Sequence, residues 1–200
     1  MLLRHKPSEK HLSDFYLKQS QLEVQYQGIE MTRLGQNYSN SRYRKHYVQT
    51  TLGTGDALYS LAVDQIKSWH HFNMDWIELY PPRPAIAPNT TLVVGANHFI
   101  LWSMNACRII YTIDEWTEEK RRFGYAYGTL PSHVEEGEES FILEWDILSD
   151  SVTYQILAYS RPNHRLVSML WPIAILIQDH FRKQSLSVMK SLCDSHTGKN

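Results

Sequence analysis

Apolar residues along the chain keep two rhythms, one of helical period and one of alternation. From Pro7 to about Gln25, Leu12, Phe15, Tyr16, Gln19 and Leu22 recur at helical spacing behind Ser8, whose hydroxyl suits a helix cap. That spacing predicts a short amphipathic helix. The stretch from Gly35 to Lys45, GQNYSNSRYRK, is polar and turn-rich and reads as a loop. In LGTGDALYSLAVDQIKSWHHF, Gly53 and Gly55 loosen the chain and Asp56 can cap. Leu58, Leu61, Ala62, Ile66 and Trp69 then trace one helical face. After Pro81, Pro82, Pro84 and Pro88 the rhythm becomes that of strands. Thr91–Trp102, Asn105–Trp116, Arg121–Leu130, Glu139–Leu148 and Ser151–Ser160 follow one another across short polar turns, and Asp75–Tyr80 adds a sixth strand. From Arg165 to about Ser191, Leu166, Leu170, Ile173, Ile177, Phe181 and Val188 share one stripe, with Pro172 expected to kink or break the helix.

A sheet that is apolar on one side needs a cover, and the terminal helix is the element available. The order therefore predicts an α+β fold in a single domain over residues 1–200, with an ordered core from about 7 to 191. A curved antiparallel sheet of about six strands would wrap around a long C-terminal helix, after N-terminal helices. This is the helix-grip arrangement of START and Bet v 1-like proteins, in which the space between sheet and helix is often a cavity.

Composition narrows the function classes. The chain has 200 residues, 42% of them hydrophobic and 20% charged, a globular balance. Lys and Arg number 20 against 21 Asp and Glu, for a formal net charge of -1. No basic field draws it to nucleic acid or anionic lipid. Cys107 and Cys193 are the only cysteines, with neither zinc spacing nor a disulfide framework, which fits a reducing compartment. The start, MLLRHKPSEK, has no apolar core of signal-peptide length. The apolar run Met169–Ile177 falls far short of the roughly 20 residues that cross a bilayer. A cytoplasmic location, no transmembrane segment, no metal and no cofactor are the expectations.

Chemistry concentrates in FGYAYGTLPSHVEEGEESF, Phe123 to Phe141. In a strand, Phe123, Tyr125, Tyr127 and Thr129 point one way, and Gly124, Ala126, Gly128 and Leu130 the other. The small-residue stripe signals close approach, either of a packed element or of an open volume that takes a ligand. His133, Glu135, Glu136, Glu138 and Glu139 read as sharing one turn. Carboxylates so close raise one another's pKa unless a cation is near, and Arg108 and Arg161 are the expected cations. His133 would move a proton at neutral pH with Glu135 orienting it; the plain alternative is a solvated hairpin. Arg161 is expected to pair with Glu138 or Glu139, so that breaking a buried pair by Arg161→Ala would cost ~3–5 kcal/mol. His98 reads as a core histidine, His70 and His71 as cations at a helix end, and Cys107 as a buried thiol.

Several of these motifs occur together in a known family. Leu52-Gly53-Thr54-Gly55, Asn105-Ala106-Cys107-Arg108-Ile109-Ile110-Tyr111 and the run from Phe123 to His133 are three of them. Glu135, Gly137-Glu138-Glu139, Ser160-Arg161-Pro162 and Gln178…Phe181…Ser185…Met189 complete the set. On these residues the chain, from about Pro7 to Ser191, resembles uncharacterised protein family 0548, also called domain of unknown function nineteen-ninety. It departs at Ala106, where the family often has proline, and at Ser132 and Val134, where glycine and proline are usual. That family carries no assigned activity, so the resemblance implies none.

Three functions remain open at this point. The first is binding of a hydrophobic or amphipathic small molecule between sheet and terminal helix, with Arg108, Tyr125, Tyr127, Thr129, His133, Glu138, Glu139, Tyr154 and Arg161 as the candidate lining. The second is a hydrolase- or isomerase-type enzyme using His133 and Glu135. The third is a structural or interaction module with a filled interior.

Overall fold

In the computed structural model, which describes residues 1–36, 39, 42–98, 101–163 and 171–197, Ser8 caps the first helix as its position predicts. Its Oγ accepts from His11 N at 3.3 Å, and α1 runs Glu9–Ser20. The second helix, α2 (Asp56–Lys67), buries Leu58, Tyr59, Ala62 and Ile66 on the face that the spacing marks. The C-terminal helix, α3, runs Trp171–Thr197. Pro172 falls in the first turn of the described helix, and the kink or break expected there concerns residues before it that lie outside the described ones. The helical pattern expected over 165–170 lies outside the described residues.

The strands are β1 (Leu2–Leu3), β2 (Arg44–Thr54), β3 (Ile77–Tyr80), β4 (Thr91–His98), β5 (Leu101–Trp116), β6 (Lys120–Thr129), β7 (Glu135–Asp146) and β8 (Ser151–Pro162). They form one eight-stranded antiparallel sheet in the order β2-β8-β7-β6-β5-β4-β3, with β1 on β5. That is more strands than the six expected, and the differences have physical reasons. β2 is an edge strand whose outward residues are polar, so the start of it reads as loop. The strands expected over Thr91–Trp102 and Asn105–Trp116 are β4 and β5 with their boundary moved: β4 ends at His98, which pairs with Leu101, and β5 runs unbroken from Leu101 through Asn105. The glutamate run is not a turn. It is the first part of β7, extended by pairing with β8, where Glu136 lies opposite Arg161. Register shifts between Ile109 and Tyr111, and between Thr51 and Gly53, mark bulges of the kind that bend a sheet.

The α3 helix bridges the two edges of the curved sheet. On one side it packs along β2, where Lys190 Nζ donates to Leu52 O at 3.1 Å. On the other, Trp76, just before β3, stacks on His180 and donates Nε1 to Gln184. The enclosed space holds rings: Trp69, His71, Phe72, Tyr125, Tyr127, Phe141, Tyr154 and Phe181. Their centroids lie 5.1 Å apart for Phe72–Phe181 and 5.2 Å for Tyr125–Phe141. Burying such rings is the largest apolar contribution to the fold.

The second face of the sheet is covered as well. Phe15 of α1 packs with Val93, Met104, Ala106 and Leu130, while Tyr26, Met31 and Tyr43 pack with Leu157 and Tyr159. The Gly124–Ala126–Gly128 stripe belongs to this outer face, away from α3, where Ala126 contacts Tyr111, Ile113 and Ile142. A Cβ on Gly128 would sit 2.3 Å from the Tyr26 hydroxyl. At Gly128 the stripe therefore admits the N-terminal segment.

Candidate binding site

Alternation along β7 divides the four glutamates between the two faces. On the outer face Glu138, 2% exposed, accepts from Tyr26 Oη (2.8 Å), Glu30 N (2.8 Å), Thr32 N (3.0 Å) and Thr32 Oγ1. Glu136 accepts from Arg161 Nη2 (2.7 Å) and from Tyr43 Oη (2.9 Å). Arg161 thus pairs with Glu136, where Glu138 or Glu139 was expected. Its side chain is 36% exposed, so solvent screens the pair and Arg161→Ala is worth about 1 kcal/mol at most.

On the inner face Glu139 holds the helix to the sheet. Arg182 Nε, on α3, donates to its Oε1 at 2.7 Å, and Tyr127 Oη donates to its Oε2 at 2.7 Å. Arg182 is 3% exposed and also reaches Asp179 Oδ1 at 3.5 Å. One turn further on, the Tyr154 hydroxyl meets Ser185 Oγ at 3.0 Å. Glu135, 8% exposed, has no ion pair among the described residues. Burial pushes its carboxyl up to about 8, against the pull of Arg182 and with the repulsion of Glu139.

Beside this network a pocket of about 300 Å³ opens between β2 and α3, lined by Lys45, His46, Tyr47, Val48, Asp179 and Lys183. His46 is 9% exposed, its Nδ1 lies 3.4 Å from Asp179 Oδ1, and its Nε2 has no partner among the described residues. Burial, with the charges of Arg182 and Arg44, lowers its pKa to about 4, so the ring is neutral at physiological pH. Of the lining residues, Asp179 also lies 3.5 Å from Arg182 Nη1, the residue that holds Glu139.

The residues singled out in the sequence fall on both sides of this boundary. Tyr125, Tyr127, Glu139 and Tyr154 line the inner face, and Thr129, whose Oγ1 accepts from Gly137 N at 3.0 Å, closes its end. Glu138 and Arg161 lie on the outer face. Arg108 does too, tying the end of α1 to the sheet through Ser20 O at 2.7 Å. His133 Nδ1 accepts from Glu135 N at 3.0 Å, and burial holds its pKa near about 3; its contact is with the backbone of Glu135, not with the carboxyl. His71 is no helix-end cation, since full burial takes its pKa to about 3 and its Nε2 meets the Tyr125 hydroxyl at 2.7 Å. Cys107 is 1% exposed, its thiol pushed well up by burial. His98 is half-buried and bonded to Ser103.

Sequence reasoning missed His46, Asp179, Arg182 and Lys183. Three of them lie among the family-shared Gln178…Phe181…Ser185 positions, a signal that pointed at the right turn of helix. His46 sits in a segment read as loop up to Lys45 and then passed over. Among the described residues no group of three His, Cys, Asp or Glu is arranged to hold a metal ion, and no helix is long and apolar enough to cross a membrane.

Residues 25–188 match the domain of unknown function family DUF1990. The chain belongs to this family. A UPF0548 protein of Dictyostelium discoideum is 30% identical to this DUF1990 member over 94% of each chain, and one of Arabidopsis thaliana is 27% identical over 80% of each. Among solved structures, TTHA0849 of Thermus thermophilus shares 11% identity at a TM-score of 0.49, covering 76% of this chain and 99% of that one. Human STARD10 shares 9% at 0.47, covering 97% and 82%. At such scores nothing about activity follows, and the helix-grip outline rests on the sheet order and the seat of α3.

Proposed function

We propose that this DUF1990 chain binds a small amphipathic molecule between its sheet and its C-terminal helix, at the pocket beside β2. The observation that carries the reading is the pocket itself: about 300 Å³ of space, at the lower end of ligand-site sizes, lined by both apolar and polar side chains. The apolar part of the ligand lies against Val48 and the stems of Lys45 and Lys183, and its polar part reaches His46. Perturbed titrations gather nearby, at His46, Glu135 and Tyr127, as they do around many binding and catalytic sites.

Native mass spectrometry of the protein purified from its own cells tests this. A small-molecule adduct is expected on the parent chain, and Val48→Trp, which fills the pocket, should remove it with little change in melting temperature. An adduct that survives Val48→Trp places the site elsewhere, and no adduct at all sinks the binding role. The ring-filled interior supports a second reading, a non-catalytic structural or interaction module, and that last outcome is the one it predicts. A proton transfer between His133 and the Glu135 carboxyl has less support, because the imidazole Nδ1 is already taken by a backbone N–H.

A further inference from the structure

A second pocket, of about 160 Å³, lies on the face of the sheet turned away from α3. Two neighbouring rows of the sheet make its floor: Ser140, Ala126 and Tyr111 stand side by side across β7, β6 and β5, and Ile142, Gly124 and Ile113 form the next row. Where each row crosses β6 it carries almost no side chain, so the floor dips between larger flanking groups. At Gly128 the same dip is taken by Tyr26. At Ala126 and Gly124 it lies open beneath the chain from Thr32 to Gln36, which forms the opposite wall.

Size, charge and hydrogen bonding each limit what can enter. The room is close to the roughly 150 Å³ of a cavity that takes one benzene ring, and a sheet below with chain above favours a flat molecule. The charges at the rim are met from within the chain. Arg33 pairs with Glu30 at 3.1 Å, and Arg122 pairs with Glu115 at 3.1 Å and with Glu144 at 3.2 Å. An ionised ligand would be desolvated here without a spare partner. Gln155, half-buried in the lining, has a polar atom to offer. Tyr47 Oη meets the amide oxygens of both Gln155, at 3.0 Å, and Gln49, which its one proton cannot serve together. One of the two amides therefore turns over to offer its N–H. In either orientation Gln155 keeps a second amide atom with no partner among the described residues, and that atom is not one of the sealed, unbonded atoms of the interior. A hydroxyl serves both orientations, since it donates to a carbonyl and accepts from an N–H.

We propose that this outer pocket binds a small, flat, uncharged ring bearing one hydroxyl, the phenol class. The ring lies on Ile113, Ile142 and the edge of Tyr111, and its hydroxyl bonds to Gln155, which sets specificity. The site is separate from the pocket beside β2, and neither depends on the other.

Amide NMR of the isotope-labelled full chain, titrated with phenol, tests this. Saturable shifts are expected at Gly35, Gln36, Ile113 and Ile142. Shifts that centre instead on Val48 and Asp179, or that never saturate, overturn the site. Toluene keeps the ring without the hydroxyl, and benzoate puts a charge in its place. Each should bind about fivefold more weakly than phenol, the worth of one hydrogen bond. Toluene binding as tightly as phenol overturns the hydroxyl contact, and benzoate binding as tightly overturns the uncharged class. In Gln155→Leu, phenol should fall to the level of toluene while toluene is unaffected; a retained advantage for phenol overturns the role of Gln155. The shift map needs no variant, so the site stands or falls on the parent chain even where Gln155→Leu disturbs folding. The cellular adduct and its loss in Val48→Trp report on the pocket beside β2 alone, so either site can fail without the other.

Discussion

Glu135 and Gly128 show how far a single residue's surroundings decide its behaviour. The Glu135 carboxyl, ordinarily near 4.5, is raised to about 8 by burial, so the folded chain holds that proton more tightly than the unfolded one. Its contribution to stability is complete below about pH 4.5 and is lost as pH rises to about 8. Glu135→Gln removes that dependence. Between those limits its stability relative to the parent chain should improve by about 1.4 kcal/mol per pH unit in urea unfolding; a constant difference would place the proton elsewhere. Gly128 is small because Tyr26 lies on it. Gly128→Ala puts a methyl within 2.8 Å of three Tyr26 ring and hydroxyl atoms, and pushes that ring off Glu138. A loss of about 1–3 kcal/mol is expected. In Gly128→Ala with Tyr26→Leu the two losses should add to less than their sum, because the same contact is broken only once.

Between elements, one ion pair does most of the orienting. Arg182 on α3 and Glu139 on β7 are both largely withdrawn from water, with side chains 4% and 12% exposed. Removing one partner strands a buried charge, so Arg182→Met should destabilise by about 3–5 kcal/mol, and Arg182→Met with Glu139→Leu should recover most of that in thermal unfolding. The alternating and helical patterns placed α1, α2, β3, β6, β7 and β8 close to where they lie, because each buries one face along its own length. β2 was missed. Its inward His46, Val48, Thr50 and Leu52 alternate with polar neighbours, and two of the four inward residues are themselves polar. The glutamates of β7 misled for a related reason: charge clusters read as turns, but these are drawn into the sheet by partners far along the chain.

At the scale of the molecule, the sheet is covered twice, by α2 and α3 within and by the N-terminal segment outside. Glu138 is the latch of the outer cover, gathering Tyr26, the Glu30 N–H and Thr32 on one carboxylate. Glu138→Gln turns an amide N–H toward donors and should cost about 3 kcal/mol. Protease cleavage within residues 21–35 should quicken before the sheet itself unfolds; unchanged cleavage would mean that apolar packing of Tyr26 and Met31 alone holds the segment.

The amino-acid sequence by itself determined the kinds of elements, nearly their order, the long terminal helix and the family, since all of these follow from local spacing and local motifs. It also showed that one strand carries large rings on one side and almost nothing on the other. Only the tertiary structure decided which of those sides meets the helix, which cation each glutamate receives, and that His46 and Asp179 share a pocket. Alternation assigns residues to two faces without saying what covers either. The covering groups, Tyr26, Arg182 and Asp179, come from segments far apart in the chain, and their meeting depends on how the whole sheet bends.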